Sequence, residues 1–219
     1  GTGMALWEGN DGLGLEGDDI HGTHNLTTYF RNFIYGDSWD NPHKTSNTEL
    51  VHLFDFSRYF NVIGNVLGRT GYYDTYESNL TDDATAIFTL GDSPGSNYPS
   101  SDARVKATLM RWGNYDTVNN TVRWVSAEVP SGDAYYPNAV PASQTLPASF
   151  YLSAKPAWWG SVPWPPIGPD VTGGNVAGWG GHANKIPARV CWENAALDAS
   201  YGSTSGTVRV FNAATCYGS

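Results

Sequence analysis

Positive charge is scarce in this chain: 12 Lys and Arg stand against 21 Asp and Glu, a net charge of -9. That balance opposes binding to nucleic acid or to an anionic membrane surface, so neither is an expected partner. Long apolar runs are also missing. No stretch reaches the roughly 18 residues that a spanning helix needs, which argues against membrane insertion through a helix. Cysteine is limited to Cys191 and Cys216. Two such residues admit either a disulfide, stable only in an oxidising compartment, or two buried thiols, and the disulfide is the more economical expectation. The His-Glu-x-x-His pattern of zinc proteases is absent, so His21 and His24 do not read as a protease metal pair.

What the chain has in quantity is turn material, with 25 Gly and 13 Pro in 219 residues, and this composition favours short strands over long amphipathic helices. Four short copies of one pattern punctuate the first half: Leu6-Trp7-Glu8-Gly9-Asn10, Tyr29-Phe30-Arg31-Asn32, Val62-Ile63-Gly64-Asn65 and Met110-Arg111-Trp112-Gly113-Asn114. A period in the twenties that lengthens by insertion is the mark of a repeat architecture. Asn suits a corner of such a chain, because it tolerates left-handed backbone angles and its amide can bond the equivalent Asn in the next repeat. The pattern predicts an all-β fold: a right-handed parallel β-helix, or solenoid, with inserted loops and a Pro/Trp-rich C-terminal flap.

A single domain covering 1–219 is expected, with coils over about 4–125, an extended segment over about 126–188 and a disulfide-closed end over about 189–219. Short strands are expected around Leu13, Leu15 and Ile20 and through Leu50 to Leu67, with Ala86 to Leu90 a strand inside an insertion. Arg104 to Trp112 continues the coils, and Thr121 to Val125 pairs with it. Ten of the 13 prolines fall between Pro130 and Pro187, so that stretch cannot supply a central strand. A last strand is expected from Thr207 to Phe211.

Beyond the repeats, Asp19-Ile20-His21-Gly22-Thr23, the run from Arg58 to Gly68, Arg111 to Asp116, Leu152 to Gly160 and Trp164 to Val171 resemble the C-terminal part of secreted bacterial right-handed β-helix proteins of the pectin-lyase-like class, most of which have no established activity. The resemblance implies the same architecture, a secreted or cell-surface location, and further coils upstream of the first residues.

Reactive side chains are densest between Asp11 and His24, where Asp11, Glu16, Asp18, Asp19, His21 and His24 alternate with glycines. Piecewise this stretch looks like polygalacturonase-type hydrolases, whose chemistry needs a protonated acid and a carboxylate base separated by a water. The spacing of Asp11 and Asp18 departs from that family's, and no Arg-Ile-Lys element follows. A lyase would instead use calcium held by Asp11, Glu16, Asp18 and Asp19, with Arg31 or Arg58 as base. The competing role for these carboxylates is to bond turn amides. Trp158, Trp159, Trp164 and Trp179 form the second candidate site, because flat aromatic faces stack on sugar rings, against the alternative of simple packing.

Together these readings lead to a secreted protein that binds or cleaves an extracellular polysaccharide. Its catalytic candidates are Asp11, Asp18, Asp19 and Arg31; its ligand-binding candidates are His21, His24, Trp158, Trp159 and Trp164. Calcium is the only cofactor suggested. The alternative is a non-catalytic structural or adhesive surface protein that self-associates through its coil ends.

Overall fold

The computed structural model describes residues 3–37, 43–93, 101–134, 138–198 and 209–217. Among these residues, thirteen short strands form three sheets. The first holds β1 (Leu6–Glu8), β4 (Thr28–Phe30), β7 (Asn61–Ile63) and β11 (Met110–Trp112), in that spatial order. The second holds β2 (Asp11–Gly12), β5 (Phe33–Ile34), β8 (Val66–Leu67), β12 (Asn114–Asp116) and β13 (Thr121–Arg123). In the third, β3 (Leu15–Gly17), β6 (Val51–Leu53), β10 (Ala86–Leu90) and β9 (Thr75–Ser78) lie side by side. All pairs are parallel except β12 with β13.

Alternation along each strand sorts side chains between two environments. Tyr29, Val62, Ile34, Leu67, Leu15, Val51, Leu53 and Phe88 meet in one cluster that draws on all three sheets. Their strand neighbours Phe30, Ile63 and Trp112 pack under Val129, Val140 and Leu146, while Phe33, Val66 and Tyr115 pack under Ile167, Val176 and Ile186. The proline-rich second half of the chain is thus held down on two sheet faces by apolar contact. At the β11 position aligned with Tyr29 and Val62 the residue is Arg111. Its guanidinium lies 2.6 Å from Glu77, 3.8 Å from Glu128 and over the rings of Tyr76 and Phe88. A charged layer therefore closes the apolar cluster at that end.

The corner joining the first sheet to the second is the same on every pass. Asn10, Asn32, Asn65 and Asn114 form a hydrogen-bonded column. The main-chain N–H and the side-chain amide of each donate to the Oδ1 of the next, at 2.8 to 2.9 Å throughout. The last three amides also reach a main-chain carbonyl of an earlier strand: Asn32 to Trp7 at 2.9 Å, Asn65 to Tyr29 at 3.0 Å and Asn114 to Val62 at 2.8 Å. The residue before each Asn is left-handed: Gly9, Arg31, Gly64 and Gly113 have φ of 71°, 50°, 65° and 68°. A Cβ at Gly64 or Gly113 would meet Leu146 or Trp124 at 2.7 and 2.4 Å, so glycine there answers both to the backbone and to the layer above it.

The expected class, an all-β right-handed parallel β-helix, is nevertheless overturned. The architecture is mixed. Helices α1 (Ala103–Ala107), α2 (Pro187–Asn194) and α3 (Ala213–Tyr217) stand beside three mostly parallel sheets of strands two to five residues long, and the sheets do not close on one another. Arg104 to Lys106 is helical rather than extended, because Asp102 caps a run of good helix formers and its carboxylate accepts from the Arg104 N–H. Thr121 to Arg123 pairs with β12, antiparallel, through the Asn119-Asn120 turn. Leu13 and Ile20 are exposed and outside any strand. Of the last expected strand, 207–208 lie outside the described residues, and Arg209 makes a single antiparallel bridge to Leu197. Cys191 on α2 and Cys216 on α3 are disulfide-bonded, tying the two helices together. No helix among the described residues is long and apolar enough to cross a membrane.

Candidate functional site

Two places collect functional side chains. The first is a cavity of 920 Å³, within the size of sites that hold small ligands, walled by Leu6, Tyr151, Trp158, Trp159, Trp164 and Tyr217, with Glu8 and Asn10 as polar groups. Three of the four singled-out tryptophans meet there. Trp159 is 9% exposed and packs edge-on against Trp164 at 4.8 Å, so it supports the wall. Trp158 is 52% exposed, with Tyr217 edge-on to it at 5.7 Å, and presents its ring to solvent. Trp179 lies elsewhere. It stands edge-on to Phe33 at 4.9 Å, and its indole N–H donates to the Gly68 carbonyl, which closes the packing on the second sheet.

Arg31 also borders this cavity but is 1% exposed and fully engaged. Its Nη1 and Nη2 donate to the two Asp170 oxygens at 2.7 and 2.9 Å, Nη1 also donates to the Ile167 carbonyl at 2.8 Å, and Nε to the Pro147 carbonyl at 2.9 Å. That geometry fixes the proline-rich segment to the first sheet; it leaves no basic nitrogen open to a substrate. Arg58, the other candidate base, is paired with Asp102 at 2.5 Å.

The second place is the turn after β3. The four carboxylates expected to share a calcium ion are not brought together. Asp11 sits on β2, where burial pushes its carboxyl up to about 6 despite Arg189 and the Tyr35 hydroxyl. Glu16 borders a groove of 570 Å³ with Glu49, His52 and Asp82. Asp18 accepts from the main-chain N–H of His21 at 2.9 Å, which, with the His21 ring at 3.1 Å, holds it below the usual carboxylate range; His24 stands 3.7 Å away. Both histidines thus gather on Asp18. Asp19 instead turns inward, 7% exposed, to face Asp55.

Asp55 lies within the apolar alternation of Leu50 to Phe56, where nothing local in the sequence marks it as part of a site. It is wholly buried, and burial together with the adjoining Asp19 carboxyl pushes it up to about 7. Sequence reading likewise passed over His52, whose Nε2 lies 2.9 and 3.0 Å from the two oxygens of buried Asp92. The available signal was spacing: Asp19, Asp55 and Asp92 each fall two residues beyond Gly17, Leu53 and Leu90, which are in register across the third sheet.

The raised Asp55 carboxyl has a consequence for stability. A proton bound more tightly in the fold than at the ordinary value of 3.8 stabilises fully below that pH and ceases to do so as pH rises through about 7. Asp11 acts with the same sign through about 6. Glu77 and Asp102 oppose them: though partly buried, they are held low by Lys106 and Arg111 and by the Phe56 N–H and Arg58, so their contribution fades on acidification below the ordinary carboxylate range. In chelator-treated buffer the melting midpoint is expected to fall by several degrees from pH 5 to pH 8, and Asp55→Asn to flatten that slope. A midpoint that rises over this interval in the unsubstituted protein contradicts the assignment.

No protein-family model, curated protein or solved structure matches this chain.

Proposed function

We propose that this is a secreted protein that binds an extracellular polysaccharide in the aromatic cavity formed by Trp158, Trp159, Trp164, Tyr151 and Tyr217. The observation that carries this reading is the convergence of those rings, four from 151–164 and Tyr217 from a distant segment, on one 920 Å³ space with Glu8 and Asn10 at its margin. A sugar ring offers an apolar face and a rim of hydroxyls, which matches aromatic walls with a few polar groups. The Cys191–Cys216 disulfide accords with an oxidising, extracellular setting.

Binding is favoured over cleavage because Glu8 is the only carboxylate among the described residues lining the cavity, and its Oε2 already accepts from the Phe150 N–H at 2.9 Å. Glycoside hydrolysis takes a pair of carboxyl groups. A second reading, a structural or adhesive protein that self-associates, is favoured by the placement of β1, β2 and β3, each at the outer edge of its sheet.

Titration with polygalacturonate, alginate, xylan and β-glucan, followed by intrinsic tryptophan fluorescence, tests the first reading. One of these glycans is expected to bind, and Trp158→Ala to weaken it by roughly tenfold or more, since a half-exposed ring at the mouth is where a ligand gains most contact. Trp179→Phe, outside the cavity, is expected to leave the affinity unchanged. Absence of binding across the panel, with particle size growing with protein concentration in light scattering, would replace the first reading by the second.

A further inference from the structure

We propose that the corner formed by Asp19 and Asp55 binds one calcium-sized divalent cation. Three aspartates stack there. Gly17, Leu53 and Leu90 are in register on β3, β6 and β10, and two residues further on come Asp19, Asp55 and Asp92, with relative exposures of 7%, 0% and 0%. The Asp55 N–H donates to the Asp92 carbonyl at 3.0 Å, so the main chains of these turns run against one another.

Neighbouring carboxylates are all compensated. Asp92 has the His52 ring, Asp18 has His21 and His24, and Asp102 has Arg58 with the Phe56 and Arg104 N–H groups. Asp19 and Asp55 differ: all four of their oxygens are buried, and no hydrogen-bond donor among the described residues reaches any of them. Uncompensated buried carboxylates are costly, and two that face each other cannot both stay ionised without a counter-charge. One shared proton would make a single bond between the pair and leave the remaining oxygens bare. A hard cation engages all four at once, and two bidentate carboxylates supply much of the six to eight oxygens that calcium takes.

The donor set selects the metal class. It is made of oxygen alone, which suits calcium or magnesium rather than zinc or copper, and bidentate carboxylates suit the larger ion. The nearby His52, Asp82 and Asp92 atoms also approach within 4.8 Å of one another, but His52 and Asp92 already satisfy each other and Asp82 is exposed, so that group makes no comparable demand. The inference is independent of glycan binding, because none of these residues lines the aromatic cavity.

Metal content and thermal melting of the full chain test it. After exposure to calcium and dialysis into metal-free buffer, the protein is expected to retain one calcium per chain by mass spectrometry. Its melting midpoint is expected to rise by roughly 5–10 °C at a hundredfold excess of calcium over the dissociation constant, with a smaller response to magnesium. Asp55→Asn should abolish both the retention and the shift; its amide can donate to Asp19, so the variant retains a bonded pair without the metal. Asp19→Asn provides the same test if the first variant does not fold. No retained calcium and an unmoved midpoint in the unsubstituted protein would overturn the proposal and leave a proton-sharing carboxyl pair. A calcium shift that persists in Asp55→Asn would overturn it as well, by placing the ion elsewhere.

Discussion

Arg31→Ala is expected to destabilise the protein by about 3 kcal/mol, because the substitution leaves a cluster of main-chain acceptors without their donor. The guanidinium satisfies the carbonyls of Ile167 and Pro147 and both oxygens of Asp170. Asp170 itself is 48% exposed and recovers water when its partner is lost, so most of the cost falls on the buried carbonyls and on the volume of a side chain that is 1% exposed. Arg31 also stands at φ 50°, where the equivalent corners carry Gly9, Gly64 and Gly113. Arg31→Gly removes the same contacts but relieves that strain, so it should be less damaging than alanine by about 1 kcal/mol. Urea denaturation of the two variants checks both statements, and limited proteolysis of the Arg31→Ala protein should cut first between Leu146 and Asp170. A loss smaller than about 1 kcal/mol, with cleavage unchanged, would show that the proline-rich layer is held by its apolar contacts alone.

Asn65→Ala is the second large effect, expected to cost about 4 kcal/mol. Asn65 is wholly buried at the centre of the column. Its Oδ1 accepts from the Asn32 main chain and side chain, and its amide donates to Tyr29 O and Asn114 Oδ1. Alanine strands the two Asn32 donors and takes the amide from the Tyr29 carbonyl where water cannot reach, while Asn114 Oδ1 keeps only the Asn65 main-chain N–H. Asn10→Ala, at the exposed end of the same column, removes only the side-chain donor to Asn32 Oδ1, which keeps its main-chain donor, and should cost about 1 kcal/mol. The contrast between the two, read from chemical denaturation at a common pH, is the informative quantity. Equal costs would mean that the column does not act through buried hydrogen bonds.

The asparagine column was legible in the sequence because its signal is local: an apolar pair, a residue suited to a left-handed turn, then Asn. The apolar runs that became β6, β7, β8 and β10 were legible for the same reason. Helix α2 was not, since Pro187 read as one more break in a proline-rich stretch, whereas proline at the first turn of a helix removes no needed donor. Its Arg189 and Glu193, four residues apart and paired at 2.7 Å, were the overlooked sign. The tryptophan cluster was accessible because Trp158, Trp159 and Trp164 are close in sequence. Tyr217 and Leu6, which complete the cavity, come from opposite ends of the chain and carry no local mark. Asp19 stood out in an acidic run, but its counterpart Asp55 is flanked by Phe54 and Phe56, and only the register of the third sheet brings the two together. The expected class failed for a similar reason: repeat spacing reports on the corners it samples, and the second half of the chain, with α2 and α3, follows no repeat.

The Asn corner also dictates where this molecule tolerates extra chain. Between the first and second sheets the connection is Gly9-Asn10, Arg31-Asn32, Gly64-Asn65 and then Gly113 alone, never longer than two residues, because a third would pull the amides out of reach of one another. The remaining connections vary in length, from two residues between β2 and β3 to nineteen positions between β10 and β11. Peptide tags, cleavage sites or grafted epitopes therefore belong in the stretches after β5, β8 or β10, and a single added residue beside Asn32 or Asn65 should be enough to prevent expression of the folded protein.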